Sequence, residues 1–214
     1  MIEILQNSQL YVAALFAFVA AITPGPNNIM LMSSGLTFGI RRTVPHMVGI
    51  AAGFLALTLL LVVGVGAALM AVPPFRYALL IGGTLFLFYL AYKTCTAPTD
   101  LQQRQAKRPL SFWEAAAFQF INPKGWGFGL SYIALITGIS PTGQISVPLA
   151  IIAVLIPQIS TYISAITWSG LGRIMAQMIT KPRLVRVINI ILGLTLFLMI
   201  PLMFWTELQA ILTL

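Results

Sequence analysis

The sequence predicts an all-α polytopic membrane protein with six transmembrane helices, arranged as two inverted three-helix repeats in which helices 1 and 4 are broken. Three observations lead there. Of the 214 residues, 7% are charged and 59% hydrophobic, with a mean hydropathy of +0.95, whereas a soluble domain uses about 25% charged residues to cover its surface. Apolar stretches run well past the roughly 18 residues that mark a membrane span. One polar linker divides the chain into two parts of three spans, and each part opens on an apolar stretch interrupted by proline. Six spans of about 20 residues nearly exhaust the length, which fits a single transmembrane domain over 1–214.

Residues 4–40 carry no formal charge. As one helix they would measure roughly 55 Å against a hydrocarbon core near 30 Å. Pro24-Gly25-Pro26 divides them, since neither proline donates a backbone bond and Gly25 adds freedom. The first span is therefore a broken helix over about 10–37. After Arg41-Arg42, residues 44–72 form the second span, which Pro73-Pro74 end. Residues 77–92 form the third, short but flanked by Arg76 and Lys93, which can snorkel. The first repeat is thus 1–95. The linker 96–111 brings polar residues, prolines and the charges Asp100, Arg104, Lys107 and Arg108. In the second repeat, 112–214, the fourth span covers about 112–137 and is interrupted at Asn122-Pro123-Lys124. The fifth covers 147–170 with a kink expected at Pro157, a basic stretch follows over 173–186, and the sixth covers 187–206.

Ten of the twelve Lys and Arg residues fall in the connections between spans one and two, three and four, and five and six. Arg76 alone lies on the other side, and Lys124 lies within a span. This asymmetry puts those three connections in the cytoplasm and both termini outside. It also assigns the net charge of +8 to an anionic lipid surface rather than to nucleic acid. No Lys or Arg precedes Arg41 and Glu3 lies near the start, so the first apolar segment is expected to stay rather than be cleaved. The single Cys95 excludes an intramolecular disulfide or a cysteine metal cluster, and the single His46 argues against haem or zinc. No cofactor is implied. His46 itself reads as an interfacial or internally bonded residue.

The second part, holding an odd number of spans, enters the membrane from the opposite side, which is the arithmetic of an inverted repeat. Each part opens with a helix broken by proline beside asparagine, and Pro24 and Pro123 stand 99 residues apart. Broken helices in lipid leave backbone groups unpaired, tolerable only against protein or a wet cavity. Asn27 is expected to cap the segment that restarts after the first break, and Asn122 with Pro123 forms a favourable N-cap and N1 pair at the second. Restarted helices aim amides inward, a site suited to a carboxylate. Lys124 adds an ammonium where charge is costly and usually functional; the plainer alternative is that it snorkels towards the surface near Glu114. No acidic residue occupies a span centre, which leaves Glu114, His46 and Lys124 as candidates for a proton relay. Gln158, Tyr162 and Trp168 are lesser candidates for the pathway. Ser33, Ser34, Gly35, Gly49 and Gly53 read as close-packing small residues that would permit a homodimer without requiring one.

Taken in order, Thr23-Pro24-Gly25-Pro26-Asn27-Asn28, then Gly49-Ile50-Ala51-Ala52-Gly53, then Phe118-Gln119-Phe120-Ile121-Asn122-Pro123-Lys124 resemble the amino-acid exporter family of the lysine-exporter and homoserine/threonine-exporter type, over nearly the whole chain. The resemblance implies efflux of small amino acids through the bacterial inner membrane, driven by the proton motive force. It places the substrate site at Pro24, Gly25, Pro26, Asn27 and Asn28 and at Gln119, Asn122, Pro123 and Lys124. Many family members carry an aspartate after the glycine matching Gly53, where this chain has Phe54. That pair, together with Thr96-Ala97-Pro98-Thr99-Asp100 and the run from Gln105 to Trp113, is similar to the cysteine/O-acetylserine exporter subgroup.

Transport is therefore the expected function, with a neutral amino acid of the cysteine/O-acetylserine or threonine/homoserine kind as cargo. An inorganic-ion exporter ranks lower because no span offers a cluster of carboxylates or thiolates. A membrane assembly factor would leave the two breaks unexplained. An intramembrane hydrolase needs a serine paired with a base, and nothing in the sequence sets a particular serine against His46.

Overall fold

A computed structural model describes residues 8–64, 68, 71–97, 108–139, 145–178 and 182–203. Most of the linker, the turn over 140–144 and the last part of the sixth span lie outside the described residues. Those described are all-helical, in eight helices: α1 (Ser8–Ile22), α2 (Pro26–Phe38), α3 (Ile40–Val62), α4 (Pro73–Cys95), α5 (Phe112–Gln119), α6 (Pro123–Ile139), α7 (Val147–Met178) and α8 (Pro182–Met203). Among them α3 and α7 are each long and apolar enough to cross a membrane, and α1 with α2, bent by 50° at their break, make a third such unit. Ile151, Leu155, Ile159 and Ile166 are all more than half exposed along α7. Their spacing makes one apolar stripe on the outside of the molecule, where lipid replaces a core.

Both breaks fall where proline forces them. Pro26 and Pro123 each take the first helical position, where a missing N–H costs nothing. Other boundaries depart from the sequence expectation. α3 starts at Ile40 rather than near 44, so Arg41 and Arg42 lie on its first turn and not in a connection. Gly39 permits this: with φ of 76° it closes α2 and opens α3 in one residue, a conformation that costs a residue with a Cβ. α3 ends at Val62, ten residues before the proline pair, because Gly64 turns the chain with φ of 81°. α7 continues to Met178, with Pro157 inside it. α8 starts at Pro182 and so takes up part of the basic stretch that the sequence reads as a connection.

The start of α5 is a capping box. Ser111 Oγ accepts from the Glu114 amide, while the Glu114 carboxylate accepts from the Ser111 amide at 2.7 Å. The same carboxylate takes Arg108 at 2.5 Å and lies 3.8 Å from Lys93 at the end of α4. Bonded to Glu114, the Arg108 guanidinium is pushed further above its ordinary range and stays charged. Glu114 therefore ties three segments together. Ser111→Ala should lower stability by about 1 kcal/mol, read as a lower thermal unfolding midpoint in detergent with transport otherwise retained.

The helices pack in a regular exchange. α1 and α2 run parallel to α7: Ser164 meets Ala21 and Asn28, and Gly172 meets Met32 and Leu36 further along. α5 and α6 run parallel to α3 in the same way, with Gly49 on Phe112, Gly53 on Ala116, and Leu61 on Gly129. α4 and α8 lie antiparallel, from Cys95 beside Ile190 to Phe88 against Phe197. The contacts are close because the residues are small. A Cβ at Gly35 would strike the Ser169 carbonyl, one at Gly172 would lie 2.8 Å from the Leu36 amide nitrogen, and one at Gly53 would lie 2.7 Å from Ala116 Cα. Lipid-embedded helices associate through such backbone contact. Ser33, Asn189 and Thr37 add a buried polar chain between α2 and α8.

Candidate functional site

The break between α1 and α2 exposes the last carbonyls of α1, which in an unbroken helix would be bonded from within. Four successive carbonyls are satisfied from other elements. Ala21 O accepts from Asn28 Nδ2 (2.8 Å) and Ser164 Oγ (2.7 Å), and Ile22 O accepts from Trp168 Nε1 (3.0 Å). Thr23 O accepts from Asn28 Nδ2 (2.9 Å) and Lys124 Nζ (2.7 Å), and Pro24 O accepts from Lys124 Nζ at 3.3 Å. Donors from α2, α6 and α7 thus converge on one point. An ammonium at the carboxyl end of a helix is also where the helix dipole favours it.

The amide side of the break is less complete. The first backbone bond of α2 runs from the Ile29 amide to Gly25 O at 3.0 Å, so the amides of Asn27 and Asn28 precede the helical ladder. The N-cap is Gly25, which has no side chain to offer them. Asn27 is not the cap, contrary to the sequence expectation: because Pro26 takes the first position, Asn27 falls inside the first turn. Its side chain instead pairs reciprocally with Gln119, at 2.9 and 3.2 Å, and Gln119 also donates to Ala115 O. That pair joins the two broken helices. At the second break Asn122 does act as a cap, its Oδ1 accepting from the Lys124 amide at 3.2 Å.

Between the breaks lies a half-open cleft. Of the residues the sequence singles out, Gly25, Asn27, Asn28, Gln119 and Lys124 line it. Pro24, Pro26, Asn122 and Pro123 shape the chain beside it. Ser164 and Thr161 of α7 complete the polar wall, while Phe54 and Phe128 form the apolar one, their rings stacked at 5.2 Å. Lys124 is the one formal charge among the lining residues. Its ammonium has three donors, and the two carbonyl bonds leave one for the cleft. Its side chain lies over Gly25, where a Cβ would stand 2.7 Å from Nζ. Gly25→Ala should therefore push the ammonium off the carbonyls and slow transport by about tenfold, the equivalent of one hydrogen bond of roughly 1.4 kcal/mol; unchanged initial flux would contradict it.

The lesser candidates separate. Trp168 reaches the break, Gln158 bonds Ala51 O at 3.1 Å, and Tyr162 is 45% exposed on the outer face. Ser164 and Thr161 were not singled out by the sequence reading, since a serine or threonine in a span more often bonds its own helix. Only their position opposite the break distinguishes them. His46 is buried at 1% exposure, and among the described residues neither ring nitrogen has a hydrogen-bond partner, so the internally bonded reading is not met there.

Helices broken face to face around an open cleft, within a coat of exposed apolar side chains, define a membrane transport protein rather than an enzyme. Residues 18–204 match the LysE type translocator family, and the chain belongs to it. Among curated proteins it is 33% identical to the cysteine/O-acetylserine efflux protein of Escherichia coli strain K12, over 85% of this chain and 90% of that one. The same identity and coverage hold for the protein of that name in Shigella flexneri. For the one in Escherichia coli O1:K1 the identity is 32%. No solved structure matches the chain significantly.

Proposed function

We propose that this chain exports a small neutral amino acid or derivative of the cysteine/O-acetylserine kind from the bacterial cytoplasm through the inner membrane, driven by the proton motive force. The observation that carries this reading is the cleft between the two breaks, where the one charged lining group is the Lys124 ammonium and the uncapped amides of Asn27 and Asn28 stand beside it. A substrate carboxylate accepts from these donors. Its ammonium, at the other end, is received by neutral oxygens such as those of Asn28, Gln119 and Ser164, and its side chain rests on Phe54 and Phe128. Asn122, Pro24, Pro26 and Pro123 set the breaks. Among the lining residues, Lys124 is the titratable side chain that would exchange a proton with the cargo.

The packing supports reading the chain as two inverted three-helix repeats in one transmembrane domain, six spans in all. Exchanging the two repeats sends the α1–α2 contact with α7 onto the α5–α6 contact with α3, and sends the α4–α8 pair onto itself. Equivalent helices oppose each other, as Phe16 on Phe128 and Ala51 on Gln158 indicate for the first and second spans of each repeat. With the basic connections inside, both termini face outwards.

The test is efflux from proteoliposomes preloaded with labelled cysteine, O-acetylserine, threonine, homoserine, arginine or lysine, with and without an imposed pH gradient. Gradient-dependent release of O-acetylserine or cysteine ahead of arginine and lysine is expected. Absence of release for all six would overturn the reading.

A further inference from the structure

A second, half-open cavity lies further along the same two helices. On α2 it is lined by Ser33 and Ser34, beyond the Asn27 and Asn28 of the cleft. On α3 it is lined by His46, one turn before Ile50, which walls the cleft. Lys93 at the end of α4 and Arg108 ahead of α5 complete its polar side; Met30, Leu90 and Leu110 are apolar. The two serines are already engaged, Ser33 with Asn189 and Ser34 with Thr43. His46 is not: it lines the cavity at 1% exposure with neither ring nitrogen partnered among the described residues. A buried imidazole without a partner costs free energy, and such a group in a native fold calls for a specific explanation.

The charges indicate what would supply the partner. Among the described residues no acidic side chain lines the cavity, while Lys93 and Arg108 share the carboxylate of Glu114. Among these described side chains that leaves an excess of one positive charge beside an imidazole able to donate one hydrogen bond. The opposite wall suits a short carbon chain. We propose that this cavity is a second carboxylate site, which takes the carboxylate of a small amino acid on His46 and Lys93 before the molecule reaches the helix-break cleft. In naming an amino acid as the carrier of the carboxylate this rests on the export reading; the carboxylate site does not. With the basic connections inside, it is the entry side.

His46 is the only histidine in the chain, so selective ¹⁵N labelling of histidine makes it a unique probe in the full-length protein in phosphatidylcholine nanodiscs. Sodium propionate, O-acetylserine, propylamine and inorganic phosphate would each be titrated while the ring nitrogens are observed. Saturable shifts with propionate and O-acetylserine are expected, with none from propylamine or phosphate. Lys93→Gln should weaken both by about tenfold, the loss of one charge-assisted bond, and Lys93→Arg should restore them. Lys124→Ala should leave the response intact, because that residue serves the other cleft. Absence of saturation with any probe would mean that solvent alone occupies the cavity and would overturn the proposal. So would saturation by phosphate alone, which would mark a lipid headgroup site, an equal response to propylamine, or loss of the response in Lys124→Ala. Propionate binding without any amino-acid flux would sink the export reading and leave this site standing; flux without the shift would do the reverse.

Discussion

Lys124→Ala is expected to reduce amino-acid efflux by at least about 100-fold, the equivalent of some 2.7 kcal/mol, while the protein still folds and inserts. The ammonium bonds Thr23 O and Pro24 O and carries the one formal charge among the residues lining the cleft. Hydrogen bonds to a charged group are worth about 1.5–3 kcal/mol each, so losing the substrate's contact and the tether together reaches that figure. Folding should survive because Thr23 O keeps its bond from Asn28, and Ala21 O and Ile22 O keep theirs from Ser164 and Trp168. Initial efflux rates from proteoliposomes, beside thermal unfolding in detergent, separate the two effects. Full export by a stable Lys124→Ala protein would remove Lys124 from the mechanism. Lys124→Arg is expected to recover little, since its larger head must pass over Gly25, where the lysine side chain already lies against the backbone.

The second large effect is structural. Gly172→Val should prevent assembly or lower the unfolding midpoint severely, by about 3 kcal/mol or more, at the upper end of overpacking costs. The first atom of any side chain there would overlap the Met32 carbonyl, and its neighbours are backbone, which cannot turn aside as a flexible side chain does. Gly170→Ala is the internal control, since a Cβ at Gly170 meets nothing within 4 Å. Equal loss of folded protein in both variants would refute a packing explanation, and so would no loss in either.

How much of this could be read from the chain differs by residue. The breaks were legible because proline acts locally: Pro26 and Pro123 begin helices whatever surrounds them. The cap on α6 followed from Asn122 standing before Pro123. The role of Asn27 did not, because a shift of one or two positions in the start of α2 turns a cap into a cross-link, and helix ends are the least determined part of a local pattern. The start of α3, the end of α7 and the start of α8 were missed for one reason: basic residues were read as marking connections, yet Arg41, Arg173 and Arg183 are exposed on helical turns and leave the backbone free to continue. Close packing at Gly35, Gly49 and Gly53 was legible from residue size alone. The donors that Lys124 and Ser164 bring to the α1 carbonyls were not, since they arise from contacts more than 100 residues apart in sequence. The buried Phe54 shows the same limit: its stacking on Phe128 is visible only once α3 and α6 lie side by side.

The exchange of partners among the helices also bears on how the protein is made. α2 finds the surface that covers it on α7, and α3 finds its own on α5, so neither can complete its packing while the ribosome is still translating the linker. The first three membrane segments must therefore wait in lipid with their glycine faces uncovered, held by nothing but one another, until later segments slide in between or alongside. Synthesis rate and the order of release from the insertion machinery then become determinants of yield. A chain cut within the linker should still assemble when its two pieces are produced in the same cell, and each piece alone should be degraded.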